Sequence, residues 1–299
     1  MIDLIIVNYK STDYLQSCLA SVYDAINGLP ANVHLFDNGS NDHVNLIQEN
    51  FPEAMLIKHR RNLGYSRAVN RLLTNTSSPY IVILNPDTII NNGFFEFMTS
   101  FMASNPNVGI AGPKIFNSDG SIQGSARSFP TFHTALFGRT SLLTKVFPNN
   151  RITYANLLTK KSDGITPMDV DWVSGACMVV RREALDDVGL LDERFFLYWE
   201  DADWCKRMWQ KDWRVTYCPK VAITHYAGGS SERNLLQSIF EFHRSVYRYF
   251  IKYFKSYSII LKPVVFLGLS FRFLGVLILH SVRRSILKLK RKFIIKDDF

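Results

Sequence analysis

The sequence predicts one large α/β domain followed by a helical extension, and three observations carry that prediction. The chain has 299 residues with 47% hydrophobic content, enough to bury a full core. Over its first part, short apolar runs suited to buried parallel strands alternate with segments of helical period. Beyond Leu235 the composition changes, with aromatics interleaved with Arg and Lys through Phe254 and a strongly apolar stretch at Ile259 to His280. These features set the expected organisation as residues 1–234, in halves 1–115 and 116–234, and a tail 235–299.

The first apolar run, Leu4 to Asn8, reads as a buried strand, and Ser11 or Thr12 can cap the helix after it, whose apolar positions Leu15, Cys18, Leu19 and Val22 fall at helical spacing. Val33 to Phe36 is a second strand that ends in Asp37-Asn38-Gly39-Ser40, a turn cluster at the carboxyl end, where open α/β sheets bind ligands. An ordinary Asx turn is the other reading of Asp37. Met55 to Lys58 is a third strand. The helix that follows runs to about Thr74, preceded by Asn62 and Gly64 in an unusual turn, and its N-terminus with Arg67 nearby suits a diphosphate.

Pro79 to Leu84 is the most strand-like run and stops at Asn85-Pro86-Asp87-Thr88. A carboxylate there, beside a proline that fixes the turn, is placed to hold a divalent cation through oxygen ligands while substrate phosphates supply others. Phe94 to Met102 reads as an amphipathic helix, Val108 to Ala111 as a strand and Gly112-Pro113-Lys114 as a turn. Asn117 to Met168 mixes Gly, Ser, Pro and basic residues, as either a substrate loop or a surface excursion would. Asp171 to Arg181 reads as one strand with a Gly at a close approach, then a helix from about Arg182 to Val188.

In Arg194 to Arg207 three acids, Glu200, Asp201 and Asp203, follow an aromatic run. Such surroundings hold a carboxylate partly out of water and raise its proton affinity, which suits a general base. A solvated acidic first turn, favoured by the helix dipole, is the alternative. The helix holding Asp201 runs through Met208, and Trp213 to Cys218 is a further strand. His225 comes next, beside a flexible loop at Gly228-Gly229. A structural histidine is the commoner outcome for such a residue, yet His225 could complete a metal site with Asp87.

Charge and cysteine usage exclude several classes. The net charge of +9 is local, because residues from Glu241 onward carry thirteen Lys/Arg against three acids, while the rest carry 22 basic against 23 acidic. The body is therefore no cationic groove for nucleic acid. Cys18, Cys177, Cys205 and Cys218 are too far apart for a zinc cluster or a disulfide framework, which fits a reducing cytoplasm. The N-terminus reads as a first strand rather than a signal peptide. In the tail, Lys262, Pro263 and Arg272 interrupt the apolar run, so we expect a segment lying in or against a bilayer surface, with Arg283-Arg284 and Lys288 to Lys292 on anionic head groups. A helical oligomerisation arm is the alternative.

Ile5-Ile-Val-Asn-Tyr, Asp37-Asn-Gly-Ser, Asn62-Leu-Gly-Tyr with Asn70, Leu84-Asn-Pro-Asp-Thr, Trp172-Val-Ser-Gly-Ala, Phe196-Leu-Tyr-Trp-Glu-Asp-Ala-Asp-Trp and the His225 loop carry a pattern over residues 1 to 230. It resembles the inverting family 2 glycosyltransferases, in the bacterial rhamnosyltransferase-like branch that builds polysaccharides and O-antigen. The resemblance implies a GT-A fold, a Rossmann-like mixed sheet flanked by helices, with a nucleotide-sugar half at 1–115 and an acceptor half at 116–234. It also implies a nucleotide-sugar donor, a lipid-linked or oligosaccharide acceptor, and Mg2+ or Mn2+ on the diphosphate. Donor contacts would come from Asn8, Asp37, Asn62, Arg67, Asn85 and Asp87, with Asp37 at the pyrimidine base, Asn85 near the ribose, and Asp87 and His225 on the metal. Asp201 would be the base and Glu200 would orient it or bind acceptor, with Asp203 structural. The usual metal motif is Asp-x-Asp, and Asn85-Pro86-Asp87 keeps only its second carboxylate. On this resemblance the enzyme works in the cytoplasm at the inner face of the cell membrane. Two other classes were weighed. A nucleotidyltransferase would want a Gly-rich basic loop after the first strand, which Asn8-Tyr-Lys-Ser-Thr-Asp does not supply. A non-catalytic membrane scaffold would have no need of Asp87, Asp201 and His225.

Overall fold

The computed structural model describes residues 1–26, 28–40, 44–131, 151–226, 235–254 and 258–294, the side chains of 152–154, 258, 260 and 280–294 aside. The elements run β1 (Ile2–Asn8), α1 (Thr12–Ile26), β2 (Ala31–Asn38), α2 (Val44–Asn50), β3 (Met55–His59), α3 (Tyr65–Leu73), β4 (Tyr80–Leu84), β5 (Thr88–Ile90), α4 (Phe94–Ser104) and β6 (Val108–Phe116). They continue with β7 (Ala126–Arg127), α5 (Arg151–Asn156), β8 (Met168–Asp169), β9 (Trp172–Val173), β10 (Cys177–Arg181), α6 (Arg182–Val188), α7 (Glu200–Trp209) and β11 (Arg214–His225). Two long helices, α8 (Leu235–Tyr253) and α9 (Ser258–Ile294), follow.

The main sheet has nine strands in the order β3-β2-β1-β4-β10-β6-β11-β5, with β8 on β11. β3, β2, β1 and β4 are parallel, β10 runs antiparallel between β4 and β6, β6 and β11 are parallel, and β5 is antiparallel to β11. This is the expected mixed sheet of a GT-A fold. Alternation along β1 sends Ile2, Leu4 and Ile6 to one apolar layer and Ile5 and Val7 to the other, the period-2 consequence of a strand buried on both faces. The first layer packs α1 through Leu15, Cys18, Leu19 and Val22 and α4 through Phe94, Phe95, Met98 and Met102. The second packs α3, α6 and α7, the last through Trp204, Cys205 and Met208. Every parallel strand therefore ends on one edge, and the loops that leave that edge hold the polar residues of interest.

Three strand assignments differ from the sequence reading. β6 does not stop at Ala111 but continues to Phe116 through Gly112-Pro113-Lys114, which is therefore not a turn. Gly112 lets β9 approach, since a Cβ there would meet Val173 at 2.7 Å. Pro113 sits where the β6–β11 register shifts between Cys218 and Ala222, a place in a ladder where a missing N–H is tolerated. β11 likewise runs past Cys218 to His225 because β5 and the end of β6 pair with that extra length. The expected single strand at 171–181 is two, β9 and β10, separated by Ser174-Gly175-Ala176. These three residues leave the ladder to make contacts described below.

The chain forms two compact units, Met1–Phe196 with Glu200–Arg233, and Leu197–Trp199 with Asn234–Phe299. Within the second, α8 and α9 pack antiparallel through the ring pairs Phe240–Phe273 and Tyr247–Phe266. Neither Pro263 nor Arg272 breaks α9, which is continuous over 37 residues. The Arg272 guanidinium, which interrupts the apolar run, lies over the Phe242 ring of α8 at 5.6 Å. Leu261–Leu279, 19 residues of mean hydropathy 1.8, is long and apolar enough to cross a membrane. The basic side chains of Arg283 to Lys292 and the Gly228-Gly229 loop lie outside the described residues.

Candidate active site

β1 and β2 pair so that Asn8 stands opposite Asp37. Asn8 is fully buried, and its Nδ2 donates to Asp37 Oδ1 at 3.1 Å and to Ser40 Oγ at 3.1 Å, while its Oδ1 accepts from Ser11 N at 3.2 Å. A saturated amide of this kind holds Asp37 at the sheet edge in one orientation. Next to it, Asn38 Nδ2 donates to Asn62 Oδ1 at 3.1 Å and Asn38 Oδ1 accepts from Leu63 N at 2.8 Å. Asn62 thereby acts through Asn38 to shape the loop into α3.

That loop ends at Gly64, whose φ is 87° and whose Cβ, were there one, would strike the Phe196 ring at 2.6 Å. The close approach lets Tyr65 N donate to Phe196 O at 2.6 Å and Ser66 Oγ to Phe195 O at 2.7 Å. The first turn of α3 therefore docks the segment leading toward α7. Arg67 is not brought to the cluster: its Nε donates to Glu193 Oε2 at 3.1 Å, both side chains about half exposed. The turn and Arg67, expected to suit a diphosphate, find these partners within the chain.

Asp87 and His225 do come together, since β5 pairs with β11 at Thr88–His225. Asp87 Oδ1 lies 3.2 Å from His225 Nε2, and Asn85 Nδ2 lies 3.5 Å from the same nitrogen. Gln123, which the sequence reading passed over, holds the other side of the ring, with Oε1 3.2 Å from Nδ1 and Nε2 donating to His225 O at 3.1 Å. A cavity of ≈ 130 Å³ opens beside Asp87, lined in part by Tyr14, Ser17 and Tyr226. Among the described residues no three His, Cys, Asp or Glu side chains cluster for a metal. An oxygen and an imidazole nitrogen converging on one point fit a divalent cation whose remaining ligands come from phosphate and water.

The acidic pair sits at the start of α7, just after Tyr198 and Trp199, whose φ values of 66° and 72° are rare for aromatic residues and cost on the order of 1–3 kcal/mol each. Asp201 Oδ2 accepts from Gly175 N at 3.0 Å and Oδ1 from Ala202 N at 2.8 Å. Gly175 occupies the close approach expected of it, as its Cβ would meet Asp201 Cβ at 3.3 Å. Glu200 is buried, and its Oε2 has no hydrogen-bond partner among the described residues. Burial, then the neighbouring Asp201, pushes the Glu200 carboxyl well above the usual carboxylate range. Burial raises Asp201 too, but the Gly175 and Ala202 N–H groups and the Arg127 charge oppose it. Both carboxyls are thus pushed up by burial, and the donors from Gly175 and Ala202 oppose that push at Asp201. Asp203 is separate, fully buried and paired with Arg207 at 3.0 Å, which also ties down the main chain at Val188 and Leu190.

Ser174-Gly175-Ala176 joins the two clusters. Asn85 N donates to Ala176 O at 3.0 Å while Gly175 N holds Asp201, so the end of β4 and the start of α7 are bridged by adjacent residues. Tyr65 lies between them: burial first, then the charges of Glu200 and Asp201, with Asp87 among the weaker contributors, push its hydroxyl up. Tyr65, Gln123 and Arg127 carry no local sequence signal beyond the first's place in Asn62-Leu-Gly-Tyr; all three depend on which strands pair.

Comparisons with known proteins bear on the family and the fold. A family model described as "Glycosyltransferase like family 2" matches residues 2–247. An N-acetylglucosaminyl-diphospho-decaprenol L-rhamnosyltransferase of Mycobacterium tuberculosis is 30% identical over 83% of this chain and 83% of its own. The dTDP-rhamnosyl transferase RfbF of Shigella flexneri is 24% identical over 67% of this chain and 61% of its own. Among solved structures, the mannosyltransferase PcManGT of Pyrobaculum calidifontis in complex with GDP-Man and Mn2+ superposes with a TM-score of 0.58 at 14% identity, over 92% of this chain and 74% of that one.

Proposed function

The chain belongs to glycosyltransferase family 2, and from that premise we propose that it moves a sugar from a nucleotide-diphosphate donor to a hydroxyl of a lipid-linked or oligosaccharide acceptor, inverting the anomeric centre, in cell-surface polysaccharide synthesis. The donor is dTDP-rhamnose, with a UDP-hexose as the second choice. The relatives' names support both the sugar and the lipid-linked acceptor. The observation that supports the reading is the tripeptide bridge from Asn85 to Asp201, which ties the Asp201 carboxyl to the edge where the donor would lie.

In this reading Asp37, oriented by Asn8, faces the pyrimidine, Asn85 the ribose, and Asp87 with His225 holds Mg2+ or Mn2+. The bound cation offsets charge on the diphosphate. Asp201 takes the proton of the acceptor hydroxyl, whose oxygen bonds to the anomeric carbon as the bond from that carbon to the diphosphate oxygen breaks on the opposite face. Burial raises the proton affinity of Asp201, as a base requires, and raises that of Glu200 beside it. The apolar stretch of α9 supports attachment at the inner face of the membrane, where a lipid-linked acceptor is found. Nucleotide release from a panel of dTDP- and UDP-sugars with Mn2+ present identifies the donor. Asp87→Ala is expected to lose Mn2+-dependent donor binding in calorimetry. Equal binding by that variant with and without Mn2+ would remove Asp87 from the assignment.

A further inference from the structure

We infer that Phe242, Ser245 and Tyr249 of α8 are positioning residues for the base: they hold Tyr198 and Trp199 in a left-handed backbone conformation, and that conformation sets where Glu200 and Asp201 begin α7. The inference rests on the reading of Asp201 as the base and goes beyond it to what aims its carboxyl.

Tyr198 and Trp199 stand at φ 66° and 72°. A bulky side chain in the left-handed region is an outlier, and such residues persist only where their surroundings over-determine them. Leu197, Tyr198 and Trp199 belong to the second compact unit, with α8 and α9, while Phe196 before them and Glu200 after them belong to the first. The run that leads to the base therefore contains three residues whose partners lie on α8.

Those partners share one face of α8, since Phe242, Ser245 and Tyr249 recur at intervals of three and four residues. Ser245 is fully buried, and its Oγ donates to Leu197 O at 2.9 Å. The Phe242 ring meets Tyr198 at 6.0 Å and Trp199 at 6.2 Å. Trp199 also lies 5.1 Å from Tyr249, a ring only 2% exposed. Ring pairs at these separations attract beyond the area they bury, so three of them and a hydrogen bond offset the left-handed strain. Phe242 also carries the Arg272 guanidinium at 5.6 Å, which brings α9 into the fixing of that ring.

The link from this grip to the chemistry is the chain itself. Asp201 is two residues beyond Trp199, and its carboxyl is aimed by accepting from Gly175 N at 3.0 Å. A return of either aromatic residue to helical φ turns the backbone by about 120° directly before that contact. The hydrogen bond to Gly175 does not survive such a turn, and a catalytic group misplaced by about 1 Å costs on the order of 10²-fold in rate.

The test reads aim and turnover separately. Hydrogen-exchange mass spectrometry of the full chain is expected to show faster exchange of the Gly175 amide in Phe242→Leu, with the amides of β1 and β4 unchanged. Nucleotide release from the donor that the panel selects should fall by about 10- to 100-fold in kcat, with donor KM unchanged. Phe242→Tyr, which keeps the ring, should restore both. Trp199→Gly should retain about 5- to 30-fold more kcat than Trp199→Ala, because glycine takes positive φ freely and alanine carries the left-handed steric cost. A Phe242→Leu variant with unchanged Gly175 exchange or unchanged kcat overturns the inference, as does Trp199→Ala matching Trp199→Gly. Exchange that rises equally in β1 and β4 marks general loosening and overturns it too. Should Phe242→Leu not fold, Ser245→Ala, which removes only the hydrogen bond to Leu197 O, is read by the same criteria. If Asp201→Asn turns over like the unaltered chain, the base reading fails, and the Gly175 exchange still decides whether α8 aims that carboxyl.

Discussion

Asp3 and Glu200 are both buried acids on the same sheet domain, at opposite ends of it, and they have been put to opposite use. Asp3 lies near the amino ends of the strands, where Ser77 N and Ser78 N donate to Oδ2 at 2.7 Å each, and Asn32 Nδ2 and His34 Nε2 approach Oδ1 at 2.9 and 3.2 Å. Burial by itself would raise its pKa, but the donors from Ser78, Asn32 and Ser77 outweigh it and bring the carboxyl down to about 2. Glu200 has no such set of donors, so burial wins and its carboxyl goes up. The N–H groups within reach, rather than burial, separate the lowered carboxyl of Asp3 from the raised one of Glu200. Asp201 falls between, with two N–H donors against full burial. A depression of ≈ 580 Å³ around Asp3 and His34, larger than the ≈ 130 Å³ cavity beside Asp87, lies at the structural end. Size is a poorer guide to chemistry here than unsatisfied polar atoms.

The widest test of that contrast is Asp201→Asn, which keeps the shape and removes the anion. Turnover is expected to fall by about 10²- to 10⁴-fold, the usual contribution of a general base, with donor affinity by calorimetry unchanged. Turnover near that of the unaltered enzyme would place the base elsewhere. At the other end, Asp3→Asn turns one acceptor oxygen into an NH2, which then faces either the Ser77 and Ser78 N–H groups at Oδ2 or the Asn32 NH2 at Oδ1. Denaturant unfolding is expected to show a loss of about 1–3 kcal/mol, the cost of one unpaired buried polar group, with activity per folded molecule unchanged. The depressed pKa of Asp3 means its contribution is present above the unfolded value of about 3.9 and is lost as pH falls through about 2.

The smallest effect is expected from Glu200→Gln, and its sign is opposite. A raised folded pKa means the folded state holds a proton the unfolded chain gives up. Stability contributed by the protonated form is therefore complete below the unfolded value of about 4.3 and declines as pH rises above it toward the folded pKa. Removing the titration should raise Tm by about 2–4 °C near neutral pH, as ~1 kcal/mol does in a domain of this size, and leave it unchanged near pH 4. A Tm lowered equally at both pH values would show that Glu200 is held by donors after all, and the contrast with Asp3 would collapse.

The element types of the nucleotide-side half were legible because period and punctuation are local. Leu4 to Asn8, Val33 to Phe36 and Pro79 to Leu84 are apolar on both faces and end in turn formers, so neither partner nor register is needed to recognise them. Legibility failed where pairing overrides local signal. Gly112-Pro113-Lys114 has the composition of a turn, yet it is strand because β11 and β9 pass on either side of it. Ser174-Gly175-Ala176 falls within the run read as one strand, yet it leaves the ladder to hold Asn85 and Asp201. The acids at Glu200 to Asp203 stood out by their aromatic setting, but nothing local says that Asp203 belongs to Arg207 or that Arg67 belongs to Glu193.

The sequence by itself determined the strands β1 to β4, the helices α1, α3 and α4, the family, and which side chains are chemically able to serve as base and ligand. Side-chain type and periodicity along the chain are enough for those. The tertiary structure alone decided which carboxylates are short of donors, that the first turn of α3 is spent on docking, and that Gln123, 102 residues from His225 in sequence, holds its ring. The physical reason is that proton affinity and ligand orientation depend on atoms within about 3–4 Å, and those atoms come from strands and loops that only the sheet order brings together.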